Sequence, residues 1–198
     1  AVHWAGVERV ALSMLASVVV GAAAGAIIFA VVTAVLAQVG WGIGVRILEL
    51  QYVTVGLLAL GYGANDLEKS IGLIALGSGG NGFTVPGWSI AVAGACFALG
   101  MGVGGIRVAK TVGGKLFVVR PYAALSFQLA AAATVIGAAL AGGPLSTTQT
   151  TASAMVGVGG EGHPRAVHWQ VVGRIAASWV LTAPFAFAAG ALAGLLVR

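Results

Sequence analysis

Apolar residues dominate this chain and fall into five long blocks that are separated by short polar joints. The blocks cover residues 10–40, 47–78, 88–106, 121–158 and 169–197. A helix needs about 20 apolar residues to cross a bilayer, so each block is long enough to span. The pattern therefore predicts helices that are embedded in a membrane.

Two of the blocks have a polar, helix-breaking centre. These centres lie at residues 63–72, within the second block, and at 143–151, within the fourth. Non-helical backbone is tolerated at membrane depth only where protein or a water-filled cavity satisfies its polar groups. We therefore expect two broken or re-entrant hairpins and about three full spans, with a full crossing by the helix at 121–142 as the alternative.

With three crossings, the basic joints at 107–120 and 163–174 lie on one side of the membrane together with the N-terminus. The excess of basic residues in these joints would make that side cytoplasmic. An odd number of crossings is also what one half of an inverted repeat requires.

Composition supports lipid as the solvent. The chain is 59% hydrophobic and only 8% charged, whereas a soluble domain carries about 25% charged residues. We expect an all-α polytopic protein of the cell membrane, forming one transmembrane domain over residues 1–198. The net charge of +5 comes from a few basic residues at block ends and does not indicate nucleic-acid binding. A single cysteine, Cys96, offers neither a disulfide framework nor a metal-ligand cluster.

The centre at 143–151 is typical of an anion site. Five hydroxyl side chains within six residues follow a Gly-Gly-Pro break, namely Ser146, Thr147, Thr148, Thr150 and Thr151. A helix that starts there presents unpaired N–H groups and a positive dipole end, which suit a tetrahedral oxyanion. The alternative is that these hydroxyls bond to carbonyls one turn earlier.

The centre at 63–72 is acidic, and a carboxylate beside an anion requires a cation or a proton. Asp66 and Asn65 are candidate ligands for both substrate and coupling ion, and Glu68 is a further candidate for the ion. Protonated phosphate fits such a carboxylate better than sulfate does, with Na⁺ or H⁺ as partner. Lys69 can pair with Asp66 three residues earlier as a supporting charge. The alternative role for Asp66 is a cap where a helix restarts.

Three glycine pairs at four-residue spacing predict close helix contacts. They are Gly21 with Gly25, Gly100 with Gly104, and Gly190 with Gly194.

Two segments together resemble the paired signatures of the inorganic phosphate transporter family. The first is Gly63-Ala64-Asn65-Asp66 followed by Lys69 and Gly72, and the second is Gly143-Pro144-Leu145-Ser146-Thr147-Thr148 followed by Gly157-Val158-Gly159. The resemblance implies phosphate symport coupled to Na⁺ or H⁺, with a site built from Asp66 and the run Ser146-Thr147-Thr148. Gln149, Glu68 and Gln128 depart from the residues usual in the family, which bears on the coupling ion more than on the substrate.

The family has two inverted repeats that each carry both signatures, whereas this chain holds one of each and is most similar to the C-terminal repeat. The resemblance thus implies a second repeat, either upstream or in a partner chain, and an oligomer is expected. We predict secondary active transport of phosphate by alternating access around a midplane site, with no enzymatic activity and no cofactor beyond a bound Na⁺. The alternatives are an anion channel, a non-transporting scaffold subunit, or a symporter of another oxyanion such as sulfate.

Overall fold

Helices make up all the regular structure that the computed structural model describes, which is residues 4–39, 44–77, 87–106, 119–143 and 145–196. A π-helical turn, Met101–Gly105, continues the third helix, and a 3₁₀ turn, Pro164–Ala166, precedes the last. The helices are α1 (Trp4–Val39), α2 (Gly44–Gly77), α3 (Gly87–Gly100), α4 (Pro121–Leu140), α5 (Thr147–Gly162) and α6 (Trp169–Leu196).

Among these described residues, five helices are long and apolar enough to cross a membrane. They are α1, α2, α3 with its π turn, α4 and α6. Length, composition and the absence of strands in the described ranges confirm the expectation of an all-α polytopic membrane protein.

The core forms where α1, α2, α4 and α5 pack side by side. Leu36 near the end of α1 contacts Ile47 near the start of α2 and Leu125 near the start of α4. At its other end, α1 faces the last turns of α4 across Ser13 and Gly137. The helix α1 therefore runs antiparallel to both α2 and α4.

The prediction that the second block is a broken hairpin is wrong, because α2 is one continuous helix of 34 residues. The polar centre at 63–72 lies inside this helix, so Asp66 does not cap a restarted helix. Each glycine in a helix interior costs about 1 kcal/mol, but an unpaired backbone group in lipid costs several kcal/mol. The second cost is larger, and the helix continues through Gly61 and Gly63.

The fourth block is broken as predicted, and its two helices form a hairpin. The helix α4 ends where Gly142 adopts a φ of +66°, a left-handed conformation that favours glycine. Gly142 N–H donates to Ala139 O at 3.1 Å, and Gly143 N–H donates to Ala138 O at 2.9 Å. These two bonds satisfy carbonyls at the end of α4, and α5 then returns beside α4, with Val158 packed near Ala123. Pro144 lies outside the described residues.

A continuous α2 also changes the predicted arrangement of the ends. The described ranges hold four long helices besides the α4–α5 hairpin, whereas the sequence predicted three. The start of α1 lies beside the tip of this hairpin, across Ser13 and Gly143, whereas the joint at 163–168 follows the opposite end of α5. The prediction that the N-terminus shares a side with this joint is therefore wrong.

Glycine allows α1 and α5 to pack closely, as the first of the three glycine pairs predicted. A Cβ on Gly21 would come 2.5 Å from Ser153 Oγ, and one on Gly25 would collide with the backbone of Ala154. The same prediction is wrong within this chain for the other two pairs, since a Cβ on Gly100, Gly104, Gly190 or Gly194 would meet open space.

Candidate functional site

Two adjacent faces of α2 contact two different elements. On one face, Thr54 Oγ1 donates to Gln128 Oε1 of α4 at 2.7 Å, and Gly61 packs against Val135. Asn65 lies one helical turn after Gly61 and continues this line. The neighbouring face presents polar side chains at positions 62, 66 and 69 to the start of α5. The polar centre of the second block therefore meets the break of the fourth block.

A carboxylate, an ammonium and a hydroxyl form the centre of the site. Asp66 Oδ1 lies 3.0 Å from Lys69 Nζ, and Asp66 Oδ2 accepts a hydrogen bond from Thr147 Oγ1 at 3.0 Å. Lys69 Nζ also donates to Leu145 O at 2.8 Å, just before α5 begins. The side chains of Asp66 and Lys69 are 29% and 46% exposed. The described residues of this chain therefore leave the cluster only partly enclosed.

Asn65 is the exceptional buried polar residue of the site. It is only 5% exposed, and its Oδ1 has no hydrogen-bond partner among the described residues. A buried acceptor left without a donor costs about 1–3 kcal/mol. An unpaired amide oxygen next to Asp66 in the chain is consistent with a ligand that supplies the missing contact.

The hydroxyl side chains predicted to form an anion site lie at the start of α5 and bond to different partners. Ser146 caps the helix by accepting a bond from Gln149 N–H at 3.4 Å, and Thr147 reaches Asp66 as described. Thr150 and Thr151 donate to carbonyls four residues earlier, at 2.8 and 3.0 Å, as the alternative interpretation proposed. Thr147 is therefore the hydroxyl residue that reaches Asp66, while Ser146 caps the helix.

Two of the predicted site residues lie apart from the cluster. Glu68 and Thr148 are exposed, and the described residues give neither a hydrogen bond nor an ion pair to Asp66. Glu68 follows Asp66 by two positions, about 200° around the helix, so the two carboxylates point away from each other. This chain alone does not bring Glu68 to the site.

Two groups that belong to the site were not predicted from the sequence. The Tyr62 hydroxyl bonds to Thr147 O at 3.2 Å and also contacts the hydroxyl of Thr151. The carbonyl of Leu145 is the second, because it accepts from Lys69. The signal for Tyr62 was its position four residues before Asp66 on the same helical face. A backbone carbonyl has no signal in the sequence.

The site lies within an apolar stretch that is long enough to cross a membrane. Asp66 is eight residues before the end of the apolar stretch Arg46–Ile74 in α2, which corresponds to about 12 Å along the helix axis. The hydrocarbon core is about 30 Å thick. The apolar stretch of 29 residues is about 43 Å long, so the cluster lies within it but nearer to one end than to its middle. Unpaired charges in such a stretch are costly.

Comparison with known proteins relates the sequence of this chain to a transporter family. Residues 45–190 match the family model described as phosphate transporter family. A probable low-affinity inorganic phosphate transporter of Rhizobium meliloti (strain 1021) is 34% identical over 148 residues, which are 72% of this chain and 44% of the relative. The protein of the same description from Bacillus subtilis (strain 168) is 32% identical over 150 residues, 73% of this chain and 45% of the relative.

A longer match extends over α1. The probable low-affinity inorganic phosphate transporter of Mycobacterium leprae (strain TN) is 30% identical over 188 residues, 91% of this chain and 44% of the relative. The chain thus spans less than half the length of these relatives. No solved structure matches it.

Proposed function

The chain belongs to the phosphate transporter family, and we propose that it forms one half of a secondary transporter that moves inorganic phosphate across the membrane together with Na⁺ or H⁺. It is a multi-pass membrane protein. The relatives' names describe phosphate transporters and permeases, and this substrate is carried over to the chain as part of the proposal.

The observation that supports the proposal most is the contact of Asp66 with Thr147 and Lys69 at the start of α5. An anion could use the ammonium, the hydroxyls of Ser146 and Thr147, and the first N–H groups of α5. Phosphate suits these donors because it can carry a proton to a carboxylate. The same carboxylate can instead hold a cation between itself and the anion.

The geometry suggests how the ion and the phosphate depend on each other. In this structure Asp66 accepts hydrogen bonds from both the ammonium of Lys69 and the hydroxyl of Thr147. A proton or Na⁺ bound at Asp66 would weaken both contacts and free these two donors for phosphate. Asn65 Oδ1, which is buried and unpaired, would serve as a ligand for Na⁺. Coupling then arises because the anion site opens only after Asp66 is neutralised.

Transport would proceed by alternating access around a midplane site. The region matching the family holds α2, α3, the α4–α5 hairpin and α6. These give three crossings and one hairpin, the odd number that lets a second repeat have inverted topology. Such a second repeat would also cover the exposed face that carries Glu68, and a role for Glu68 in ion binding depends on it.

Uptake of phosphate into vesicles tests the proposal. The complete transporter is reconstituted with an inward Na⁺ or H⁺ gradient, and labelled phosphate is followed over time. Asp66→Asn should reduce gradient-driven uptake to the level of empty vesicles while the protein still inserts. Glu161→Gln, an exposed carboxylate at the far end of α5, is the matched control and should transport normally.

The substrate pocket is tested by binding rather than by uptake. Ser146→Ala combined with Thr147→Ala, and separately Lys69→Gln, should weaken phosphate binding about tenfold or more, since a bond to a charged group contributes about 1.5–3 kcal/mol. Equal flux with and without a gradient would indicate a channel instead. Sulfate competing as well as phosphate would contradict the assigned substrate.

A further inference from the structure

A groove runs along α1 and is bounded by α4 over the inner part of its length. One part, of about 520 Å³, lies between Ser17 and Val20 of α1 and Ala133 and Gly137 of α4. A second part, of about 480 Å³, surrounds Glu8 and Arg9 near the start of α1. Ser13 and Ala16 line both parts. The two cavities therefore form one groove that leads from a charged end to an apolar end.

The walls of the inner part are apolar despite three hydroxyl side chains. Ser13 donates to Val10 O at 2.8 Å, Ser17 to Met14 O at 2.7 Å, and Thr134 to Ala130 O at 2.8 Å. Each of these bonds is directed back to the residue's own helix, and the remaining wall is mostly alanine and glycine. Small side chains on both helices leave the space, and a hydrocarbon chain is the kind of ligand it fits.

The length of the groove corresponds to one leaflet of a bilayer. From Arg9 to Val20 is eleven residues of α1, or about 16 Å along the helix axis. Half of a hydrocarbon core of about 30 Å is about 15 Å. Glu8 is also where the apolar stretch of α1 begins. The charged end of the groove therefore lies at headgroup level, and the apolar end lies near the middle of the bilayer.

We propose that this groove binds a phospholipid with a phosphoethanolamine headgroup. The Arg9 guanidinium binds the phosphate, the Glu8 carboxylate accepts from the primary ammonium, and one acyl chain lies between α1 and α4. In the described part of the chain, neither Glu8 nor Arg9 is in an ion pair. A headgroup with both charges is complementary to this pair, whereas phosphatidylglycerol lacks the cation and phosphatidylcholine has no N–H to donate.

The lipid would also support the substrate site. Gly143 and the buried side chain of Leu145 also line the part of the groove between α1 and α4, at the end beside Ser13, and the carbonyl of Leu145 accepts from Lys69. An acyl chain there would pack against the tip of the α4–α5 hairpin.

Native mass spectrometry of the purified chain tests the proposal. The chain is mixed with equal amounts of phosphatidylethanolamine, phosphatidylglycerol and phosphatidylcholine of identical acyl chains, and the lipids that remain bound are counted. Phosphatidylethanolamine should be retained in preference to the other two. Arg9→Gln should weaken its retention about fivefold, the effect of one basic side chain at a membrane surface. Glu8→Gln should remove the preference over phosphatidylcholine.

Filling the groove gives an independent readout. Gly137→Leu adds a side chain where a Cβ meets nothing within 4 Å, so the helix itself is not strained, and retention of all three lipids should fall. Gly173→Leu, a similarly open position on α6, is the control and should retain lipid normally. Equal retention of the three lipids, or unchanged retention in Gly137→Leu, would overturn the proposal. A dimer of the chain that excludes lipid and is lost in Gly137→Leu would assign the groove to a second copy instead.

Discussion

At the scale of single residues, the chain shows how two ionisable groups can be accommodated within a membrane helix. Asp66 and Lys69 neutralise each other, and each also has a partner from the break, Thr147 for the carboxylate and Leu145 O for the ammonium. Charged groups at this depth are costly unless they are paired or line a polar cavity. Each of these contacts is also one that a bound anion or cation could replace.

Asn65 gives a prediction in which stability and activity change in opposite directions. Asn65→Leu removes a buried oxygen that has no donor, so the protein should become more stable by about 1–3 kcal/mol. If the oxygen holds a ligand during transport, phosphate uptake should nevertheless fall. Thermal unfolding in detergent and vesicle uptake measure the two effects.

The control for this prediction is Thr54→Val, on the same face of α2. It leaves Gln128 without its 2.7 Å bond and should lower stability by about 1 kcal/mol. Normal transport by Asn65→Leu would show that Asn65 has no role in binding.

The cluster was partly predictable, for reasons that can be stated residue by residue. The pairing of Asp66 with Lys69 follows from a spacing of three on a helix. The contact with Thr147 does not, because it joins residues 81 positions apart. The resemblance of both segments to one family supplied that link. Thr148 lies on a different face from Thr147, because adjacent helical positions point about 100° apart, and Thr147 is the residue that reaches Asp66.

At the scale of helices, small residues determine which elements can approach. The contact between α1 and α5 uses Gly21, Gly25 and Gly157, where any Cβ would meet the facing backbone or side chain. Helices in lipid associate through such close van der Waals contacts rather than through a hydrophobic driving force. The start of α5, with its ligand groups, is therefore positioned by α1 as well as by α2.

Gly25→Ala should destabilise the fold by about 1–3 kcal/mol, the usual cost of adding a methyl group to a closely packed contact. Gly190→Ala is the control, since a Cβ there meets open space, and alanine should be neutral or stabilising by up to about 1 kcal/mol. Unfolding in mixed micelles compares the two. Equal effects would contradict the close packing of α1 on α5.

The two halves of the polar site differed in how well the sequence predicted their backbone. The break after α4 has a local cause, because Gly142 and Gly143 complete the bonds that end the helix. The continuity of α2 depends on the solvent, since residues such as Gly63 and Asn65 favour turns in water but remain helical where an open turn would lack water. The local preference for turns therefore predicted the backbone at residues 143–151 correctly and the backbone at 63–72 wrongly.

At the scale of the whole molecule, the ends of the helices differ in charge. Arg46, Arg120 and Arg165 lie near one end of the core, where α2 and α4 begin and α5 has ended. Glu8 and Arg9 lie near the opposite end, where α1 begins. From the excess of arginine at the first end we predict that this end faces the cytoplasm and that the start of α1 lies outside.

Labelling with a membrane-impermeant maleimide tests this orientation. In a background of Cys96→Ser, a cysteine at Glu161 should react only from the cytoplasmic side, and one at Trp4 only from the outer side. Trp4 is 76% exposed and Glu161 is also exposed, so neither position is shielded by the fold itself. Reaction of both from the same side would contradict the arrangement in which α1 and α5 run parallel.

The bond between Asp66 and Thr147 also has a consequence for how the protein is made. These residues are 81 positions apart, and ribosomes add about 5–20 residues per second, so Asp66 emerges roughly 4–16 s before its hydroxyl partner exists. The span that carries Asp66 has the lowest mean hydropathy of the five, 1.3 against 2.6 for α1. During that interval Lys69, three residues away, can pair with the carboxylate. We therefore expect Lys69 to lower the cost of inserting α2 into the membrane as well as to support the finished site.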